Sequence, residues 1–249
     1  MSIADKLTAI AENEQKVYNA GYKKGKAEGG GGDNFMESYQ QSGTRTNCNY
    51  MFYGDVWTEE LLKPLYDITP ISVERMFARN PIADLKSHFK NLNIALDLSS
   101  ITSSVNFNYM LEGSSSETFP DIVLSPKLTK ISNILRAATN LKTVCIKGIT
   151  ENLVFDAFFH TCYSLEDLIL EGTIGQNGFS VQWSTKLSKA SITNIINVLS
   201  ANTTGLTVTL SKTAVNKAFE TSEGANDGIT SNEWTTLIAT KSNWTISLV

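Results

Sequence analysis

A spaced pattern of apolar positions between residues 135 and 170 is the strongest periodic signal in the chain. Five positions recur after 24 residues: Leu135, Ala138, Leu141, Val144 and Ile146 are followed by Phe159, Cys162, Leu165, Leu168 and Leu170. Apolar residues alternate at the end of each copy, which places them on one face of a short strand. Such a strand buries that face only against neighbouring copies, so the pattern predicts a stack of repeats over residues 76–180.

The second copy carries a specific signature. Phe159-x-x-Cys162-x-x-Leu165-x-x-Leu168-x-Leu170 resembles the BspA type of leucine-rich repeat, and the first copy differs in having Leu135 for Phe and Ala138 for Cys. The period lies within the leucine-rich-repeat range of 20–29 residues. The resemblance covers roughly residues 70–175 and extends to the alternating strand 206–210. It implies an α/β (α+β) solenoid: a leucine-rich-repeat-like stack of short strands with helical caps, preceded by a coiled-coil-like N-terminal helix.

Residues 1–24 predict that N-terminal helix. Its apolar positions follow at steps of four, three and seven: Ile3, Leu7, Ile10 and Val17. One such stripe needs a partner to be buried, because a short isolated helix is marginally stable. We expect oligomerisation as a short coiled coil or docking to a larger assembly, and the alternative is a helix folded back on its own domain. Two and a half heptads do not determine the number of strands.

A linker and an aromatic segment follow. Residues 25–34 contain four consecutive glycines, which predict a flexible connection. Residues 35–75 are rich in aromatic side chains: Phe35, Tyr39, Tyr50, Phe52, Tyr53, Trp57 and Tyr66. They favour an N-terminal cap of the repeats, because aromatic residues bury most of their area in cores, with a sugar- or partner-binding patch as the alternative.

Residues 181–249 predict a C-terminal cap of helices and strands. Ser188 is suited to cap a helix through about Ala201, and a second helix covers about Thr213–Thr221. Thr230 with Glu233 forms a capping box for a third helix. A short strand, Thr245 to Leu248, ends the chain.

Composition narrows the function classes. Hydrophobic residues make up 41% and charged residues 18% of the 249 residues, and the net charge is −4. This mild acidic balance argues against nucleic-acid and anionic-membrane partners, which require a basic surface. No apolar run is long enough to span a membrane, and the N-terminus lacks the apolar core of a signal peptide.

The stock of catalytic side chains is small. There are three cysteines and two histidines: Cys48, Cys145, Cys162, His88 and His160. His160 and Cys162 are close enough in sequence to consider a nucleophile pair, but a buried structural cysteine is the commoner outcome. The carboxylates weighed for glycoside hydrolysis follow no defined spacing: Asp121, Glu151, Asp156, Glu166 and Asp167. We therefore predict no enzyme, no cofactor and no metal site.

The wider layout, including segments 2–18, 214–226 and 244–247, resembles repeat proteins encoded in phages and prophages of gut Firmicutes. This resemblance implies a virion protein, a tail fibre or tail-tip component, that forms a homo-oligomer (tail fibres are commonly trimers) and binds other virion proteins and a host-cell glycan or protein. A bacterial surface adhesin is the alternative, and a tailspike glycan hydrolase is a weaker one. The outward strand positions are the expected ligand-binding residues: Thr143, Lys147, Asp167, Ile169, Glu171, Thr207 and Thr209.

Overall fold

The computed structural model describes residue 54 and residues 78–87, 96–99 and 107–249. The predictions for residues 1–24 and 25–34, including the stripe formed by Ile3, Leu7, Ile10 and Val17, lie outside the described residues. The predicted aromatic cap over 35–75 also lies outside them, except for Gly54.

Nine strands and three α-helices follow one another in the described part of the chain. The strands are β1 (Leu96–Asp97), β2 (Ile122–Val123), β3 (Lys130–Ser132), β4 (Thr143–Ile149), β5 (Val154–Asp156), β6 (Asp167–Gly172), β7 (Ser180–Val181), β8 (Leu206–Leu210) and β9 (Trp244–Leu248). The helices are α1 (Lys189–Asn197), α2 (Lys212–Phe219) and α3 (Asn232–Ala239), and a single 3-10 turn covers Gly228–Thr230. None of the described helices has the length and apolar run that a membrane crossing requires.

The strands form three short parallel sheets, in the orders β1-β2-β4-β6, β3-β5 and β7-β8-β9. Residues 24 positions apart are direct partners between β2 and β4, between β3 and β5, and between β4 and β6 up to Ile146, as with Ile122 and Ile146, Ile146 and Leu170, or Ile131 and Phe155. The partners of β1 and β2 are 26 residues apart, as with Leu96 and Ile122. The alternation of apolar residues explains which side faces inward. Over residues 143–147 and 167–171 every second residue is buried, because successive side chains of a strand point to opposite faces.

The predicted solenoid class is wrong. The described residues form a mixed α/β fold with three separate short parallel sheets rather than one solenoid sheet that continues through the repeats. Strand β8, which the sequence pattern attached to the repeats, pairs with β7 and β9 instead of β6.

Helix α1 supplies the physical reason for this correction. Two of its side chains occupy the free edge of β6: the backbone N–H of Leu168 donates to Ser191 Oγ at 2.9 Å, and that of Leu170 donates to Asn194 Oδ1 at 2.8 Å. Both edge donors are thereby satisfied without a further strand. A covered edge stops sheet extension, so the four-stranded sheet ends at β6.

One hydrophobic core contains the inward residues of all three sheets. Val144 and Leu168 contribute from the four-stranded sheet, and Ile131 contributes from the two-stranded sheet. Four buried phenylalanines pack edge to face in it; Phe155 and Phe179 lie 5.2 Å apart and Phe158 and Phe159 lie 4.7 Å apart between ring centroids. This is the preferred arrangement of aromatic pairs.

Each C-terminal helix begins at a serine whose hydroxyl accepts a backbone hydrogen bond: Ser188, Ser211 and Ser231. The first helix begins as Ser188 predicted but ends at Asn197 rather than near Ala201. The predicted cap at Thr230 is wrong, because Ser231 Oγ accepts from the N–H of Trp234 while Thr230 belongs to the preceding 3-10 turn.

Candidate functional site

The outer face of β2, β4 and β6 carries the candidate site in the described part of the chain. The parallel register places Thr143 beside Asp167 and Cys145 beside Ile169. Their side chains point away from the core because Val144 and Leu168, at the alternate positions, are buried. Lys147 and Glu171 follow on the same face. Five predicted ligand-binding residues therefore share one surface, which we call the sheet face: Thr143, Lys147, Asp167, Ile169 and Glu171.

An open groove of about 380 Å³ runs along the sheet face. Its floor comes from the strands, with Thr143, Asp167 and Ile169 among the lining residues. Ile169 is 51% exposed, so a large apolar side chain stands in the groove in contact with solvent. Helix α1 closes one side with Ala190 and Ser191.

The charges of the sheet face are paired around Lys147. Its Nζ lies 3.0 Å from Asp121 Oδ2 and 3.6 Å from Glu171 Oε1, so one cation joins carboxylates from both sides of β4. The hydrogen bond to Asp121 raises the pKa of Lys147, which keeps the ammonium group charged. The surface thus presents both signs of charge around an exposed isoleucine.

The groove is also lined by residues that the sequence did not predict to bind a ligand: Lys86, Phe119, Asp121, Cys145, Ala190 and Ser191. The 24-residue period could have identified three of them. Asp121 and Cys145 occupy the same repeat position as Ile169, and Phe119 occupies the same repeat position as Thr143. Lys86 and the two residues of α1 lie outside the strand pattern. Only the packing of α1 against β6 brings Ala190 and Ser191 to the groove.

Two predicted residues lie elsewhere. Thr207 and Thr209 are on β8, in the β7-β8-β9 sheet, and are half-buried. The backbone N–H of Thr207 donates to Asn177 Oδ1 at 2.8 Å, so this position is engaged in a loop contact. The structure therefore does not bring these threonines together with the sheet face.

The described cysteines are protonated thiols. Cys162 is fully buried, its thiol donates to the carbonyl of Leu135 at 3.1 Å, and burial raises its pKa to about 12. Burial also raises the pKa of Cys145, with the charge of Asp121 as the next cause. The prediction of a buried structural cysteine is confirmed at Cys162. His160 does not activate it through Nδ1, which is buried and has no hydrogen-bond partner among the described residues.

Three of the carboxylates weighed for hydrolysis, Asp121, Glu151 and Asp156, have separate partners. Asp156 pairs with Lys130 at 2.8 Å, and Glu151 accepts hydrogen bonds from Ser200 at 2.7 Å and Asn202 at 3.0 Å. Asp121 is held by Lys147, as described above. Within the described ranges, no group of three or more His, Cys, Asp or Glu side chains is arranged to hold a metal ion.

The chain matches no model of a known protein family, no curated protein and no solved structure. The resemblance to BspA-type repeats therefore stays a prediction that rests on the residues themselves.

Proposed function

We propose that the protein is a non-enzymatic binding protein and that the sheet face is its recognition surface. The observation that carries this proposal is the groove of about 380 Å³. Three of the predicted ligand-binding residues line it, Thr143, Asp167 and the exposed Ile169. A concave site with apolar surface and a few fixed polar groups is typical of ligand recognition. Here Asp121, which lines the groove and is fixed by its ion pair with Lys147 on the same face, supplies a fixed polar group.

A binding role is favoured over a catalytic one because the polar groups of the sheet face are paired or protonated. The Lys147 ammonium group is paired with two carboxylates, and burial leaves the Cys145 thiol protonated. A general base or nucleophile requires a free carboxylate or an activated thiol. The ionic groups of the sheet face instead form a fixed pattern of charge for a partner to match.

The setting that we propose is a phage tail. In this setting the chain is a tail fibre or tail-tip component of the virion, binds other virion proteins and recognises a glycan or protein on a host cell. The support is the sequence resemblance at both ends of the chain. Mass spectrometry of purified virions from a strain that encodes the chain tests the setting. Finding the protein on the cell wall of cells that release no phage would contradict it and favour the adhesin alternative.

Binding to intact cells of gut Firmicutes tests the recognition surface. We expect Ile169→Lys to weaken binding of the full chain by about tenfold or more, because it fills the groove with a long charged side chain. Thr245→Lys is the matched control, since it adds the same charge at an exposed strand position of β9. Equal binding by both variants, or a loss in both, would overturn the role of the sheet face.

Self-association is part of the proposal and depends on the stripe Ile3, Leu7, Ile10 and Val17. We expect the full chain to be an oligomer by light scattering and Ile10→Asp to shift it towards the monomer, because a charge at a coiled-coil core position opposes association. A monomeric full chain would contradict this part of the proposal and leave the sheet face untouched.

A further inference from the structure

Two aromatic side chains outside the sheet face are exposed next to each other. Tyr163 is 45% exposed and Trp183 is 38% exposed. Their ring centroids are 6.0 Å apart and the ring planes meet at 87°. The remaining large apolar side chains of the described residues that are exposed to this degree are Ile169 and Val249. The two rings, which we call the aromatic pair, therefore form an isolated apolar corner.

The turns that carry the aromatic pair are tied directly to each other. Tyr163 follows the turn that ends at Cys162, and Trp183 precedes Ser184. Ser184 Oγ donates to the carbonyl oxygen of Cys162 at 3.1 Å, and both residues are fully buried. The backbone N–H of Ser184 also donates to Val181 at 3.0 Å. These buried hydrogen bonds fix the turns from which the two rings extend.

A third ring supports Trp183 from the side. The centroid of His160 lies 5.6 Å from that of Trp183, with the planes at 61°. Thr161 has a φ of +60°, and its side-chain hydroxyl donates to the carbonyl of His160 at 2.7 Å. The indole is packed between Tyr163 and His160 without a ligand, which lowers the cost of ordering this side chain on binding.

The geometry fits one ring of a sugar. The face of an aromatic ring is electron-rich, and one face of a pyranose in the β-gluco or galacto configuration presents polarised C–H bonds that pack on it. Two rings at right angles provide a floor and a wall for such a unit. A protein partner requires about 800 Å² of contact on each side, which two partly exposed rings do not supply.

We propose that the aromatic pair is a stacking site for a pyranose unit of a glycan. This inference deepens the proposed function, on which its biological context rests, because it identifies a glycan as one host-cell ligand and assigns it a contact outside the sheet face.

Calorimetric titration of the full chain with chitotetraose, cellotetraose and β-1,4-galactotetraose tests the proposal. We expect at least one of these oligosaccharides to bind, Trp183→Ala to abolish that binding, and Tyr163→Ala to weaken it by about tenfold. Trp183→Phe should retain binding within a few fold, because it preserves an aromatic face. Equal unfolding midpoints of the variants establish that the loss is local.

The groove variant Ile169→Lys separates this inference from the proposed function. Thr245→Lys, an exposed position outside both sites, should bind the oligosaccharide as the unchanged protein does. Absence of binding by all three oligosaccharides, or unchanged binding by Trp183→Ala, would overturn the stacking site. Sugar binding that is lost in Ile169→Lys and kept in Trp183→Ala would place the glycan in the groove, which supports the proposed function and overturns this inference.

Discussion

The side chain of Asn194 takes the place of a strand residue beside Leu170. Its Oδ1 accepts from the N–H of Leu170 at 2.8 Å, and its Nδ2 donates to the carbonyl of Leu170 at 3.2 Å. The amide thereby makes both hydrogen bonds that a neighbouring strand would provide. One helix turn earlier, Ser191 Oγ accepts from the N–H of Leu168 at 2.9 Å and donates to the carbonyl of Glu166 at 3.1 Å.

Removing this amide should destabilise the edge of the sheet. We expect Asn194→Ala to lower the free energy of unfolding by about 1–2 kcal/mol, because both backbone groups of Leu170 lose their partner in a partly buried place. Urea denaturation of the full chain measures the change. Asn197→Ala is the control, since Asn197 is exposed on the same helix and its replacement should change stability by less than about 0.5 kcal/mol. Equal effects of the two substitutions would show that Asn194 does not stabilise the edge.

Gly148 in β4 should not tolerate a side chain. Its φ is +76°, and a Cβ atom there would lie 2.6 Å from the carbonyl oxygen of Leu124. We expect Gly148→Ala to destabilise the protein by roughly 3 kcal/mol or more, since backbone strain and a backbone clash add together. Thermal unfolding measures this.

Gly224 provides a matched control for Gly148. Its φ is +77°, and a Cβ atom would meet nothing within 4 Å. Gly224→Ala should therefore cost only the conformational strain of about 1–2 kcal/mol. If the two alanine variants unfold at the same temperature, the close approach of Gly148 to Leu124 does not contribute.

Asp84 should make stability depend on pH in the acid range. The N–H of Ser87 donates to its Oδ1 at 2.9 Å, and the hydroxyl of Thr118 donates at 2.5 Å; these bonds lower the pKa of Asp84 to about 2. A lowered pKa in the folded state stabilises the protein above the ordinary value of 3.8, and this contribution is lost as the pH falls towards 2.

Asp84→Asn tests this dependence. We expect the variant to be less stable than the unchanged protein at pH 7 and to lose less stability between about pH 4 and pH 2, since it has no proton to gain. Urea denaturation at several pH values measures both slopes. Glu223→Gln, at an exposed position, is the control for loss of one charge. Parallel curves for Asp84→Asn and the unchanged protein would contradict the prediction.

The two described thiols should differ in reactivity. In a Cys48→Ser chain we expect slow modification of Cys145 in the native state, because the thiol is half-buried and its pKa is raised. Cys162 should react only after unfolding, because it is fully buried. A chromogenic disulfide reagent measures the rates with and without guanidinium chloride. Rapid modification of both thiols in the native protein would contradict the burial of Cys162.

Part of the candidate site could be read from the sequence. The 24-residue period and the alternation of apolar residues placed Thr143, Lys147 and Ile169 on outward positions, because strand side chains alternate with a period of two. The walls of the groove could not be predicted this way. Lys86 and Ser191 reach it through packing between segments that share no local pattern.

The period misled in one respect. It extended the repeats to Leu206–Leu210, since this segment alternates like β4 and β6. Alternation determines which face of a strand is buried but not which strand lies beside it. The helix between β6 and β8 occupies the edge of β6, and β8 therefore pairs with β7 and β9.

The sequence by itself determined the local elements: the inward faces of β4 and β6, the helix start after Ser188, and the burial of Cys162. These follow from periodicity and capping chemistry, which act within a few residues. Only the tertiary structure decided that Asn194 covers the edge of β6, where the four-stranded sheet ends, and that the rings of Tyr163 and Trp183 are in contact. Both depend on contacts between segments about 20 residues apart in sequence, where pairing is chosen by the packing of the whole core.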